Sequence, residues 1–111
     1  MMTIEEKLKM YKGKKAFVDA ISKAFETRPA GSSVASVQYE VYKKEINKDV
    51  TYFAEYLVVT FLDGGKSVRA ANGNSNTCNF QEIGKLIDGG YYTEVKDYET
   101  LSESGFTKVE V

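Results

Sequence analysis

The fold is decided by residues 34–62, VASVQYEVYKKEINKDVTYFAEYLVVTFL, which hold two long segments of alternating apolar and polar residues. Alternation with a period of two is typical of β-strands whose two faces meet different environments. Antiparallel partners share a face, so a three-residue loop at Asn47-Lys48-Asp49 sets the register that pairs Val37 with Val59. We therefore predict a hairpin of two strands, Val34–Ile46 and Val50–Leu62.

A third strand follows the segment Asp63-Gly64-Gly65-Lys66, which is typical of a turn. With Gly64-Gly65 as a two-residue turn, Phe61 pairs with Val68, and Arg69 points to the opposite face. The letters Gly64-Gly65-Lys66-Ser67 also match the end of a phosphate-binding loop. However, Thr60 stands where that motif needs glycine, and a strand rather than a helix is predicted to follow, so we interpret them as a hairpin turn.

Helices are predicted on both sides of these strands. Thr3 and Glu6 form a capping box, and the stripe Ile4, Leu8, Tyr11, Val18, Ile21 and Phe25 predicts a helix ending near Glu26. Gly13 leaves open whether that helix breaks in two. After it come a helix over Asn79–Asp88, a strand over Tyr91–Val95, a short helix over Asp97–Ser104 that Gly105 ends, and a final strand over Phe106–Val111.

Together these elements predict one α+β domain over residues 1–111, in the order α-β-β-β-α-β-α-β. Its mainly antiparallel sheet carries the two main helices on one face and leaves the other face open. The predicted core is Ile21, Phe25, Val37, Val41, Leu57, Val59, Phe61, Val68, Phe80, Ile83 and Ile87.

The composition excludes several kinds of chemistry. The chain has no His and a single cysteine, Cys78. Histidine-based triads, multi-cysteine zinc sites and intrachain disulfides are therefore excluded, and we expect no metal and no cofactor. No apolar stretch is long enough for a membrane span, and the charged residues at the start of the sequence lead us to expect no secretory leader and a cytoplasmic protein.

The charge is small overall but unevenly placed: residues 1–29 hold seven bases and four acids, and residues 79–111 hold three bases and seven acids. This asymmetry either steers a charged partner or attracts two faces of the fold to one another. Lys7, Lys14 and Lys15 of the first helix are candidates for a phosphate-binding patch, with solvation of the helix as the alternative.

The leading candidate surface combines aromatic and cationic side chains. Tyr42, Tyr52, Tyr56 and Arg69 are predicted on the sheet face that no helix covers, and Tyr and Arg are enriched at binding hot spots. The alternatives are that another helix covers the face, that the tyrosines pair across strands to stabilise the sheet, or that a second copy of the chain closes the face. A second candidate is the amide-rich loop, which is either a plain connector or a site for a polar ligand. Its residues are Asn72, Asn74 and Asn76.

We therefore expect a small, non-catalytic protein that acts through protein–protein contacts. Its profile is typical of adaptors and inhibitors, including those that phages and mobile elements encode, an analogy of size and composition alone. The alternative is a nucleic-acid-binding protein that uses the lysine-rich helix and stacking tyrosines. An enzyme working through Asn, Tyr and carboxylate groups is held in reserve.

Overall fold

The computed structural model describes residues 3–26, 34–71, 80–88 and 95–111. A four-stranded antiparallel sheet with the strand order β3-β2-β1-β4 is combined with helices, which confirms the predicted α+β class. The elements are α1 (Ile4–Glu26), β1 (Val34–Asn47), β2 (Val50–Phe61), β3 (Lys66–Ala70), α2 (Phe80–Asp88), α3 (Val95–Glu99) and β4 (Thr107–Val109).

Helix α1 begins at the predicted capping box. The Glu6 backbone N–H donates to the Thr3 hydroxyl at 3.1 Å, and the Thr3 N–H donates to Glu6 Oε1 at 3.2 Å. These bonds satisfy two N–H groups that a helix start otherwise leaves unpaired. The helix passes through Gly13 without a break and packs its apolar stripe on the sheet, with Val18 fully buried.

The β1–β2 register is the predicted one, with Val37 opposite Val59. The loop differs from the prediction, because Lys48-Asp49 alone forms the turn and β1 carries a bulge between Glu45 and Asn47. The bulge adds one residue to β1, so the side chains of β1 and β2 lie on the same faces that the three-residue loop predicted. The Asp49 N–H donates to Asn47 Oδ1 at 2.8 Å and stabilises the turn.

The predicted β2–β3 register is wrong. Val58, not Phe61, lies opposite Val68. The connection runs from Leu62 to Gly65 instead of through two glycines, with Gly64 at φ 91°. A longer loop shifts the pairing, so Val68 and Arg69 each lie on the face opposite to the predicted one.

Two apolar layers result, one on each face of the sheet. The larger lies under α1 and α2, as predicted, and includes Leu57 and Ile83, both with no exposed surface. The smaller covers the face that the prediction left open, and Leu101 closes it from the turn after α3. Of the predicted core, Ile21, Phe61 and Ile87 are only partly buried, and the position of Phe80 falls outside the described side chains.

The short elements near the end of the chain differ in their bounds. Helix α3 covers Val95–Glu99 and continues as turns to Gly105, whose φ of 90° ends the segment as predicted. Of the strand predicted over Tyr91–Val95, residues 91–94 lie outside the described part, and Val95 begins α3. Among the helices of the described ranges, none is long and apolar enough to cross a membrane.

Candidate functional site

The predicted tyrosine face exists, but it is largely covered. The register places Tyr42, Tyr52 and Tyr56 on one face, as predicted. Tyr56 is only 9% exposed and Tyr42 is half-buried, because the segment from α3 to Phe106 packs over them. Of the three, only Tyr52 is open to a partner, so the prediction of a broad exposed surface is wrong.

Arg69 does not belong to that face. It pairs with Leu57 across β2 and β3, and its guanidinium donates to the Glu82 carboxylate of α2. Lys85 lies 3.6 Å from the other oxygen of Glu82. The predicted Tyr/Arg combination is therefore corrected, and Arg69 instead ties α2 to the sheet.

Beneath the cover, three tyrosines surround a buried carboxylate. The Tyr42 and Tyr98 hydroxyls donate to Glu40 Oε1 at 2.5 and 2.8 Å, and Lys108 Nζ lies 3.9 Å from Oε2. The rings of Tyr42, Tyr56 and Tyr98 meet edge-on, with centroids 5.7–6.4 Å apart. These contacts attach α3 and β4 to the sheet.

The Tyr42 and Tyr98 phenols keep their protons at neutral pH. Burial, together with the hydrogen bond to Glu40, holds the pKa of Tyr42 well above its ordinary value. Burial and the Glu40 carboxylate raise the pKa of Tyr98 to about 12. Because a general base has to be deprotonated at the working pH, these hydroxyls act here as hydrogen-bond donors.

The predicted basic patch does not form as expected. The Lys14 side chain is only 9% exposed, with its Nζ 2.7 Å from Glu55 Oε1, and Tyr39 donates to the same oxygen at 2.5 Å. Lys15 pairs with Asp19 across one helical turn at 2.7 Å. Lys14 therefore has no phosphate-binding surface to offer, which corrects its assignment to the patch.

The third lysine of that patch, Lys7, lies 5.6 Å above the ring of Phe53. Lys7 is therefore one of the side chains that hold Phe53 against α1. Tyr11 packs on the same ring, and burial and nearby Glu55 raise the pKa of its phenol.

The two buried carboxylates cannot act as a catalytic pair. Glu40 and Glu55 are opposite Tyr56 and Val41 in the register, which puts them on opposite faces of the sheet. Paired-carboxylate chemistry needs both groups in one cleft. Within the described ranges, no three His, Cys, Asp or Glu side chains are grouped to hold a metal ion. The residues of the second predicted candidate, Asn72, Asn74 and Asn76, lie outside the described residues.

The exposed part of the tyrosine face is the end of the β1–β2 hairpin. Among the described residues, β4 pairs with β1 only as far as Lys43, and β3 pairs with β2 only from Tyr56 onward. The hairpin therefore projects as two strands for roughly 15 Å beyond the Lys43 pair. Three large apolar side chains are exposed on it: Ile46 (48%), Val50 (43%) and Tyr52 (61%). We call these three residues the hairpin patch.

Side-chain contacts with the rest of the fold fix the part of the hairpin next to the hairpin patch. Alternation from the Lys44–Tyr52 pair places Val50 on the same face as Tyr52, and Ile46 is the bulged residue between Glu45 and Asn47. The Lys44 ammonium lies 6.0 Å from the Phe106 ring centroid, and the Phe53 ring packs 5.5 Å from that of Tyr11. Only Tyr52 of this patch is predicted from the sequence. Ile46 and Val50 could have been found from their positions on either side of the hairpin turn, because neither β3 nor β4 extends that far along the hairpin.

Comparison of this chain with protein-family models, with curated proteins and with solved structures finds no match. The functional proposal is therefore based on the geometry of the site.

Proposed function

We propose that this chain is a small, non-catalytic protein-binding domain of the cytoplasm, of adaptor or inhibitor type, and that it contacts its partner through the hairpin patch. The observation that carries the proposal is the exposure of Ile46, Val50 and Tyr52 together at one projecting end. Grouped apolar side chains on a surface mark interaction sites more often than scattered ones do.

The energetics of such a contact favour a specific complex. Full burial of a Val or Ile side chain contributes about 1.5–3 kcal/mol. Ile46 and Val50 each expose a little under half of their surface, so each contributes on the order of 1 kcal/mol when a partner covers it. Tyr52 combines a large ring with a polar tip, which is typical of interface hot spots, where truncation costs about 2 kcal/mol or more. The hairpin is also held in place by the bulge, the turn and Lys44, which lowers the entropy lost on binding.

The shape and charge of the hairpin support a protein partner. A convex two-stranded projection fits a cleft, and its turn carries both charges, with Lys48 and Asp49 side by side. Nucleic acid favours a predominantly basic surface. The buried pairing of Lys14 removes one of the lysines on which that alternative depended.

The test is retention of partners from extracts of the native cells by immobilised full-length chain, quantified by mass spectrometry. We expect Tyr52→Ala and Val50→Asp each to reduce the retained partner more than tenfold, because each removes an apolar contact at the centre of the patch. Leu62→Asp is the matched control, since Leu62 is 72% exposed in the β2–β3 turn.

Thermal unfolding checks that all three variants fold like the unmodified chain. Equal losses for Leu62→Asp and Val50→Asp would contradict the hairpin patch as the contact. Binding of a labelled single-stranded oligonucleotide that weakens steeply with salt would favour the nucleic-acid alternative instead.

A further inference from the structure

Strand β2 has an open edge beside the hairpin patch, on the side where β3 pairs farther along. The Glu55 carbonyl accepts from the Ala71 N–H at 2.8 Å, so Glu55 directs its backbone groups to the β3 side. Backbone groups alternate in direction along a strand, and both bulges of the hairpin lie in β1 rather than β2. Thr51 and Phe53 therefore direct their N–H and C=O groups to the same side as Glu55, beyond the end of β3. We call this side of Val50–Ala54 the β2 edge.

The backbone groups on the β2 edge are available for pairing. Among the described residues, none bonds to the outward N–H or C=O of Thr51 or Phe53. These groups repeat every second residue, at a spacing of roughly 6.6–6.8 Å. Another extended backbone has the same repeat, so an added strand is the ligand that satisfies all of them together.

The two edges of the projecting hairpin differ in how they are protected. Sheets commonly protect an exposed edge with charges, proline or a bulge. The β1 side has the bulge at Ile46 and carries the charged pair Lys43 and Glu45, 3.6 Å apart. The β2 edge, Val50–Ala54, has no charge, no proline and no bulge, and it is made largely of β-branched and aromatic residues. The β2 edge is therefore the one that favours pairing with a further strand.

We propose that the β2 edge binds an extended segment of the protein partner, which pairs with β2 as an added strand on the line that β3 follows. Thr51 and Phe53 supply the backbone donors and acceptors. Partner side chains on the Tyr52 face pack against that ring, which favours aromatic or β-branched residues there. This proposal rests on the proposed function, because the added strand lies beside Tyr52 and Val50 of the hairpin patch.

A second copy of the chain fits the β2 edge less well. Pairing Thr51 and Phe53 of one copy with Phe53 and Thr51 of the other would place Asp49 opposite Glu55. That position is already taken by Ala71, which donates to the Glu55 carbonyl. A separate segment that pairs only beyond Ala71 meets no such obstacle.

The test uses peptides as the probe. A phage-displayed library of random decapeptides is selected on the immobilised full-length chain, and the tightest binder is synthesised. We expect aromatic or β-branched residues at alternate positions of this peptide, with no proline among them. A selection that yields no peptide whose binding depends on the β2 edge would overturn the proposal.

Amide exchange resolved by residue, followed by NMR on the unmodified chain, is the direct readout. In the free chain the outward amides of Thr51 and Phe53 should exchange faster than those of Tyr52 and Ala54, which point toward β1. An added strand gives the outward amides a partner. We therefore expect the peptide to slow exchange at Thr51 and Phe53 about tenfold more than at Tyr52 and Ala54. Equal slowing of both sets is the result for a contact made by side chains alone, and it would overturn the proposal.

A backbone variant gives a second measurement. Thr51→Pro removes one outward N–H and no bond of the β1–β2 ladder, at an edge position where proline is tolerated. We expect it to weaken peptide binding about tenfold or more, whereas the matched control Thr51→Val keeps the N–H and the affinity. Thermal unfolding compares the folding of both variants with that of the unmodified chain. A folded Thr51→Pro chain that binds the peptide as tightly as the unmodified chain would contradict strand addition.

The outcomes separate this proposal from the function on which it rests. If Tyr52→Ala releases both the peptide and the native partner while Thr51→Pro releases neither, strand addition fails and the hairpin patch stands. If Tyr52→Ala leaves the native partner bound, the hairpin patch fails, whereas slowed exchange at Thr51 and Phe53 still supports strand addition. A chain that sediments as a dimer, and as a monomer after Thr51→Pro, would assign the β2 edge to a second copy and overturn the proposal.

Discussion

At the scale of single residues, the charged pair of Lys14 and Glu55 shows what sequence patterns leave undetermined. The alternation in β2 marks Glu55 as an interruption of the apolar face, and the helical pattern marks Lys14 as one of several surface lysines. In the structure the Lys14 ammonium and the Glu55 carboxylate neutralise each other's charge inside the core, and the Tyr39 hydroxyl is a further donor to the carboxylate. The spacing of apolar residues can show that a charged side chain faces inward, but it cannot identify a partner that lies 41 positions away in the sequence.

Removing one member of this pair should be far more damaging than removing both. Lys14→Met leaves Glu55 in the core without its cation, and we expect the free energy of unfolding to fall by about 3 kcal/mol or more. The double variant Lys14→Met and Glu55→Leu removes both charges and should recover most of that loss. Urea denaturation measures all three chains. A double variant that is no more stable than Lys14→Met would contradict the account.

The tyrosines around Glu40 should make the stability of the folded chain depend on pH in the alkaline range. In the folded chain Tyr42 and Tyr98 hold their protons more tightly than the ordinary pKa of 10.0 allows, the latter up to about 12. The stability they contribute is therefore fully present below about pH 10 and is lost as the pH rises from there to about 12. Denaturation series at successive pH values measure this.

The control for that series is the double variant Tyr42→Phe and Tyr98→Phe. It should be less stable at pH 7, because two hydrogen bonds to Glu40 are gone, yet lose less stability between pH 10 and 12. An alkaline loss as large as that of the unmodified chain would show that other groups cause it.

At the scale of elements, local signals predict the structure well where the sequence itself supplies the partner. The capping box of α1 and the register of the β1–β2 hairpin follow from residues close together or from one shared face. The β2–β3 register does not, because two loop lengths fit Asp63-Gly64-Gly65-Lys66. The Asp63 side chain, which accepts from the Gly65 N–H at 2.8 Å, helps to stabilise the longer loop.

The same substitution at two glycines should have opposite effects. Gly13→Ala should raise the free energy of unfolding by about 0.5–1 kcal/mol, since the helix gains a better helix former and no contact is disturbed. Gly105→Ala should lower it by about 1–2 kcal/mol, because its φ of 90° disfavours a Cβ, which would also lie 3.4 Å from the Lys44 side chain. Chemical denaturation compares the two. Effects of the same sign would contradict this assignment.

At the scale of the whole molecule, the prediction of the fold class is confirmed, whereas the prediction of a bare sheet face is wrong. The sequence shows two helices long enough to cover one face. The second cover is a five-residue helix and a series of turns, whose apolar contribution comes from Tyr98, Leu101 and Phe106, too few and too irregularly spaced for a periodic signal. The proposed binding surface is therefore the hairpin patch and not the whole sheet face, and it occupies only a part of a molecule that measures 49 × 27 × 19 Å.

The central claim is that the hairpin patch contacts the partner. Backbone amide hydrogen exchange, measured on the free chain and on its complex with the partner that it retains, tests this claim most directly. We predict that binding slows exchange across Lys44–Tyr52 and leaves the Leu62–Gly65 turn unchanged. Slowed exchange confined to other segments, with Lys44–Tyr52 exchanging as in the free chain, would contradict the claim.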